Sequence, residues 1–182
     1  MKNSNTSKLA PVLDANEIQK TIQRFAQRIA KDYGGPESVA LVGIRTRGLT
    51  IAHRVAEVME ERHQTSPSVG ALDITLYRDD LNTLLPQGRI DATDIQFDIS
   101  NKTLILFDDV LHTGRTVRAA VDHLIALGRP RAIFLAVLID RGGRELPIEA
   151  NLVGKKIKVP LGGDVRVKLK EVDKIDEVVW GS

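Results

Sequence analysis

Leu104-Ile105-Leu106-Phe107-Asp108-Asp109-Val110-Leu111-His112-Thr113-Gly114-Arg115-Thr116 runs from an apolar strand, through two adjacent carboxylates and a threonine–glycine turn, into the start of a helix. Backbone N–H groups of a turn entering a helix form an anion site. Gly114 lets the backbone approach a phosphate closely, and the hydroxyls of Thr113 and Thr116 add donors. Carboxylates at a strand tip accept hydrogen bonds from a diol. The combination suits a sugar phosphate, with hydroxyls at one end and a phosphate at the other. Adjacent carboxylates repel one another and are better tolerated where a ligand or metal compensates. Two other readings exist. One acid caps the helix while the other is solvated, or the pair belongs to a phosphoacceptor domain. The second class carries its pair early in the chain, and here it lies past the middle. A Walker-type loop is excluded, because no Gly-x-x-x-x-Gly-Lys-Ser/Thr string occurs.

Working outward, each neighbouring unit alternates strand and helix. Asp14-Ala15-Asn16-Glu17 fits a capping box, followed by a helix with Ile18, Ile22, Phe25, Ala26 and Ile29 on one face. Lys20, Arg24, Arg28 and Lys31 lie on the other face, and Gly34-Gly35-Pro36 ends the helix. Residues 39–44 are wholly apolar, as in a buried parallel strand. The next helix turns Ile51, Ala52, Val55, Val58 and Met59 inward, and 69–77 reads as a strand. From Arg78 to Asn101 the pattern dissolves, apart from a weak strand at 95–99. So long a connection reads as a functional lid or a disordered segment. Strand 103–107 is followed by a helix over 115–127 with Val117, Ala120, Val121, Leu124 and Leu127 inward, and Gly128 and Pro130 end it. Strand 132–139 and a run of short strands to Trp180 complete the chain. This order implies an α/β fold with a mostly parallel sheet, right-handed crossovers and ligands beyond the C-terminal strand edges. Residues 1–13 are expected to be a flexible lead and 14–182 a single domain.

Composition bounds the remaining classes. With 182 residues, 42% hydrophobic and 27% charged, the chain can bury a real core. A net charge of +2 gives no bulk argument for nucleic acid, although local basic patches remain. No cysteine is present, which excludes disulfide scaffolds, thiolate metal sites and cysteine nucleophiles. The longest apolar run, 132–139, falls far short of the roughly 20 residues a membrane span needs. The polar start of the chain shows no secretion signal, so the expected location is cytoplasmic.

Two further clusters fall at strand ends. Arg45-Thr46-Arg47-Gly48 puts two cations and a glycine in a turn that suits a pyrophosphate, although two surface arginines would look the same. Tyr77-Arg78-Asp79-Asp80 opens the long connection and is either a solvated turn or a lid carrying a cation. His53, His63 and His123 have no second ligand at metal spacing, whereas His112 lies inside the phosphate loop. Trp180 is expected to pack.

The segment 108–116 resembles the 5-phosphoribosyl-1-diphosphate (PRPP) loop of the type I phosphoribosyltransferases. Together with residues 42–48, 72–81, Asp140-Arg141-Gly142 and Arg144-Glu145-Leu146-Pro147-Ile148, it is similar to the PyrR family. These are pyrimidine-operon attenuation proteins that are also uracil phosphoribosyltransferases. The resemblance runs from about residue 14 to about residue 172. It implies the type I fold, with a flexible lid loop and a small C-terminal hood, and conversion of uracil and PRPP to UMP and pyrophosphate. Asp108 and Asp109 would then hold the ribose hydroxyls, and Val110, Leu111, His112, Thr113, Gly114, Arg115 and Thr116 would complete the phosphate loop. Arg45, Thr46, Arg47 and Gly48 would hold pyrophosphate, and Arg78, Asp79 and Asp80 would belong to the lid. Ile139, Val159 and Gly163 would form the base pocket. Mg²⁺ would be held mainly by substrate oxygens, without a dedicated protein site. The resemblance also implies UMP and UTP as effectors, a homo-oligomer and binding to operon leader mRNA. The RNA face would carry Arg24, Arg28, Arg144, Lys155 and Lys156. Alternatives are an enzyme without RNA binding, a nucleotide-sensing attenuator with little activity, and a phosphoribosyltransferase for another base such as a purine.

Some positions depart from the family pattern. His112 stands where Tyr is usual, and Arg141-Gly142-Gly143-Arg144 replaces Arg-Gly-His-Arg. The hood reads Gly154-Lys155-Lys156-Ile157-Lys158-Val159-Pro160 in place of Gly-Lys-Asn-Ile-Pro-Thr-Ser. Gln23 and Gln27 replace Thr and His, and Glu149 replaces a basic residue. A reversed charge weakens phosphate contacts to RNA.

Overall fold

A computed structural model of the chain describes residues 9–74, 93–160 and 162–181. The elements are β1 (Ala10–Leu13), α1 (Ala15–Asp32), β2 (Val39–Ile44), α2 (Arg47–His63), β3 (Ser68–Leu72), β4 (Thr103–Leu111), α3 (Arg115–Leu127), β5 (Ala132–Asp140), β6 (Leu152–Lys156), β7 (Asp164–Lys168), α4 (Lys170–Asp173) and β8 (Glu177–Gly181). Five strands form a parallel sheet in the order β3-β2-β4-β5-β6. The strands β1-β8-β7 form a small antiparallel sheet, the hood.

Helix α1 begins at the expected capping box. The Asp14 carboxylate accepts from Glu17 N–H at 2.8 Å, and Glu17 accepts from Asp14 N–H at 3.0 Å. Its apolar stripe, Ile18, Ile22, Phe25, Ala26 and Ile29, is buried with Ile51, Val55 and Met59 of α2 on one face of the large sheet. Each such fully buried aliphatic side chain contributes about 2 kcal/mol of transfer free energy. The other face carries α3, whose Val117, Ala120 and Leu124 meet Leu104, Leu106 and Val137. Leu127, expected in that stripe, is half exposed, and Ala119 is buried instead.

Three further expectations change. Residues 10–13, expected in the lead, form β1 and pair with β8; residues 1–8 lie outside the described residues. Pro11 is tolerated because β1 is an edge strand whose register shifts between Pro11 and Leu13. The weak strand at 95–99 forms no ladder. A single bridge joins Asp94 to Ala71, and Ile95, Phe97 and Ile99 pack on the α3 side of the core. That part of the expected lid is therefore seated on the sheet. Finally, β4 does not stop at Phe107 but continues through both carboxylates, because the ladder with β5 pairs Asp108 with Val137, Val110 with Ile139 and Leu111 with Asp140. Arg78, Asp79 and Asp80, and residues 75–77 of the strand expected over 69–77, lie outside the described residues. No helix among the described residues is long and apolar enough to cross a membrane.

Candidate active site

The C-terminal ends of β2 and β4, the last turn of β5 and the start of β7 surround a cleft of about 480 Å³. Arg45, Thr46, Arg47, Asp108, Asp109, Val110, His112 and Thr116 line it, which brings the diphosphate turn and the phosphate loop together. Gly48 lies buried just behind, where a Cβ would run into the Phe107 carbonyl.

Two helices begin at this cleft, α2 and α3. The N-cap of α2, Thr46, makes no side-chain capping bond, and the first turn holds no acid. The same is true of α3, where Gly114 caps at φ +92, a left-handed conformation that glycine adopts without strain. Helix α1, which faces away from the cleft, has a complete capping box. Both helices thus turn positive ends without acidic caps toward the place an anion would sit, and at α3 the Thr113 hydroxyl accepts from Arg115 N–H at 3.3 Å. Arg45 N–H donates to the Leu72 carbonyl at 2.9 Å, tying the turn to β3, and the Arg45–Thr46 peptide is cis.

The carboxylates are fixed by their own backbone. Asp108 Oδ1 accepts from Asp109 N–H at 2.9 Å, and Asp109 Oδ1 accepts from Val110 N–H at 2.8 Å. Burial pushes the Asp109 carboxyl above the ordinary carboxylate range, against the pull of the Val110 N–H and the Arg47 charge. A buried, constrained acceptor of this kind is suited to hydroxyl donors. Asp73 also lines the cleft, a residue the sequence reading did not place in the site. Asp73, Asp108 and Asp109 offer hard oxygen donors, yet among the described residues no group of three acidic or histidine side chains could hold a metal. Such a donor set fits Mg²⁺ only if diphosphate oxygens supply most of its ligands.

The phosphate loop is braced from behind by Arg144. Its guanidinium donates to the carbonyls of His112 at 2.9 Å, Leu111 at 3.4 Å and Ile148 at 2.8 Å, and pairs with Asp140 at 2.7 Å. Arg115 leaves the loop to pair with Glu145 at 2.6 Å, while Glu145 and Leu146 N–H groups donate to the Thr113 carbonyl. His112 and Gly143 prove to be neighbours. A Cβ at Gly143 would lie 2.8 Å from His112 Nε2, so these two departures from the family pattern fit one another. Burial lowers the His112 pKa, and the charge of Arg141 lowers it further.

The expected base pocket is only partly assembled. Ile139 is fully buried and backs Val110 across the ladder, so it does not line the cleft. Val159 packs on the core, and the Gly163 carbonyl accepts from Arg141 Nη2 at 2.7 Å. The residues that line the hood side are Val110, Arg141, Asp164 and Val165. The five basic residues also divide. Arg24 donates to the Gly154 carbonyl and Lys155 to the Val12 carbonyl on the α1 side, and Arg28 pairs with Asp32. Lys156 is the ladder partner of Asp140, which Arg144 holds, so these two share the opposite face. Arg144 is engaged within the molecule, with its side chain 22% exposed.

A parallel five-stranded sheet that brings Asp108–Asp109, the loop into α3 and the turn into α2 to one rim, with a small antiparallel sheet beside it, is the type I phosphoribosyltransferase fold. The family model described as a phosphoribosyl transferase domain matches residues 10–168. A hypoxanthine phosphoribosyl transferase of Trypanosoma cruzi shares the fold, with a TM-score of 0.73 at 16% identity over 100% of this chain and 95% of that one. One from Staphylococcus aureus gives 0.67 at 22% identity over 100% and 97%. Among curated proteins, the bifunctional protein PyrR of Chloroflexus aurantiacus is 52% identical over 168 residues, 92% of each chain. That of Thermus thermophilus is 49% identical over 172 residues, 94% of this chain and 95% of its own. The chain belongs to the PyrR family.

Proposed function

We propose that this protein makes UMP and pyrophosphate from uracil and PRPP, and that it also binds pyrimidine-operon leader RNA in response to UMP or UTP. The observation that carries the enzymatic reading is the pairing of two helix N-termini free of acidic caps with the Asp108–Asp109 pair in one cleft, in a chain about half identical to bifunctional PyrR proteins. The ribose hydroxyls would donate to Asp108 and Asp109, and the loop 113–116 would take the 5-phosphate. Arg45, Thr46, Arg47 and the first N–H groups of α2 would take the diphosphate. The sugar C1–O bond breaks toward an oxocarbenium-like state, and the diphosphate leaves with the electron pair. The C1–N1 bond forms on the opposite face while uracil N1 sheds its proton. Most of the rate would come from position and charge, without a strong general base. Mg²⁺ bound with PRPP would supply charge neutralisation on the leaving diphosphate, with Asp73, Asp108 and Asp109 as the protein oxygens nearest to it. A cytoplasmic location and a homo-oligomeric state belong to the same proposal.

A panel of bases with PRPP, read by pyrophosphate release, tests the enzyme. Uracil is expected to turn over and purines are not, and turnover confined to a purine would overturn the uracil assignment. Filter binding to a leader RNA tests the regulator. Binding strengthened by UMP supports it, and no UMP-dependent binding leaves an enzyme alone. Lys156→Glu is the suitable probe of an RNA face, because Arg144 is engaged in the phosphate loop. Arg144→Ala is expected to raise KM for PRPP about tenfold, the effect of losing roughly 1.4 kcal/mol of bracing, with a smaller change in kcat. An unchanged KM would show that the loop holds its shape without that guanidinium.

A further inference from the structure

We propose that Asp173, in the short hood helix α4, is a positioning residue that fixes the diphosphate-binding edge of Arg47. This deepens the reading above and rests on Arg47 as a diphosphate ligand. Asp173 Oδ1 accepts from Arg47 Nη2 at 2.7 Å, and Oδ2 accepts from Arg47 Nε at 3.1 Å. A two-point carboxylate–guanidinium pair fixes the plane and rotation of the fork. With Nε and one Nη2 hydrogen occupied, the Nη1 side of the fork stays free of Asp173. Arg47 lines the cleft with its side chain 34% exposed. Asp173 is itself held, since its Oδ2 accepts from Leu169 N–H at 2.9 Å. The hydrogen bonds from Arg47 and from the Leu169 N–H keep the Asp173 carboxyl below its ordinary range, so the anchor is charged at neutral pH.

Two observations argue that the pair serves the site and not merely the fold. First, α4 is already fastened to α2 by Arg54, which holds Glu171 at 2.6 Å and Asp176 at 2.7 Å. Second, Arg47 feels the charge of Asp109 across the cleft. Released from Asp173, a flexible arginine would turn toward that carboxylate and away from the place an incoming diphosphate needs it. Ordering such a side chain in advance removes rotamer entropy from the cost of the binding step.

The test compares Asp173→Asn, Asp173→Glu, Arg47→Ala and the Arg47→Ala/Asp173→Asn double variant in the full chain. The readouts are KM for PRPP and for the base, kcat, and the inhibition constant for inorganic diphosphate. Asp173→Asn is expected to raise KM for PRPP and the diphosphate constant by about five- to twentyfold. KM for the base and the melting temperature should stay near those of the parent. Asp173→Glu should fall between the two, and the double variant should be no worse than Arg47→Ala alone. An unchanged or tighter diphosphate constant in Asp173→Asn, with Arg47→Ala weakened, would overturn the positioning role and keep Arg47 as ligand. A diphosphate constant unmoved by Arg47→Ala would overturn the reading of Arg47, and the proposal with it. Should Asp173→Asn fail to fold, Asp173→Glu carries the test, and a parental diphosphate constant there overturns the proposal.

Discussion

Asp109→Asn is expected to cut UMP formation by about 10²–10³-fold, since each hydrogen bond to a charged acceptor is worth roughly 1.5–3 kcal/mol and two ribose hydroxyls are at stake. The same variant is expected to melt no earlier than the parent. The reason lies in the burial of the carboxyl. Desolvation raises its pKa in the folded chain, and the Val110 N–H and Arg47 only partly offset that. A carboxyl with a raised folded pKa stabilises the fold fully below its unfolded pKa, and loses that contribution as pH rises through the folded value. Above its folded pKa the ionised Asp109 is therefore a cost to the fold. Asparagine removes the charge and can still accept from Val110 N–H. Pyrophosphate release and a thermal melt at pH 7 check both halves. Turnover within about threefold of the parent would remove Asp109 from the ribose site.

Arg54→Ala is expected to lower stability by about 1–2 kcal/mol, since the guanidinium is largely covered but its partner Glu171 is half exposed and can be resolvated. Arg54 is 12% exposed and forks onto both Glu171 and Asp176. Hydrogen bonds from Arg54 lower the pKa of Glu171, and they lower that of Asp176 against the opposing effect of burial. Both are depressed carboxylates, so their contribution is present above the ordinary values of 4.5 and 3.8 and lost as pH falls through the folded ones. Denaturant melts from pH 7 down to pH 3 should therefore show the parent losing more stability with acid than Arg54→Ala does. Parallel pH profiles would show that the staple carries no net stability.

Local grammar made much of this legible. The capping box of α1, the apolar stripes of α1 and α2, and the limits of α3 depend on neighbours within four residues, and they appear where expected. The phosphate loop and the diphosphate turn are contiguous strings, so their meeting in one cleft followed from strand order alone. Apart from the end of the α3 stripe, where Leu127 is exposed, the misses are long-range. Strand β1 was hidden because its partner, β8, lies at the far end of the chain and Pro11 argues against a strand. The extension of β4 through Asp108 and Asp109 depends on the β5 ladder, not on the polarity of the residues themselves. Ile139 was placed at the base pocket by the family resemblance; it is fully buried, and Val110 and Val165 line the cleft. Arg54 and Asp173 carry no local signal, because their partners lie more than a hundred residues away along the chain.

The seam between β1 and β8 has a consequence for anything done to the ends of this polypeptide. Ala10 and Trp180 are ladder partners, and β8 is flanked by β1 on one side and β7 on the other. Removing residues 10–13 would bare a row of unsatisfied amides along β8, an invitation to pair with a stranger.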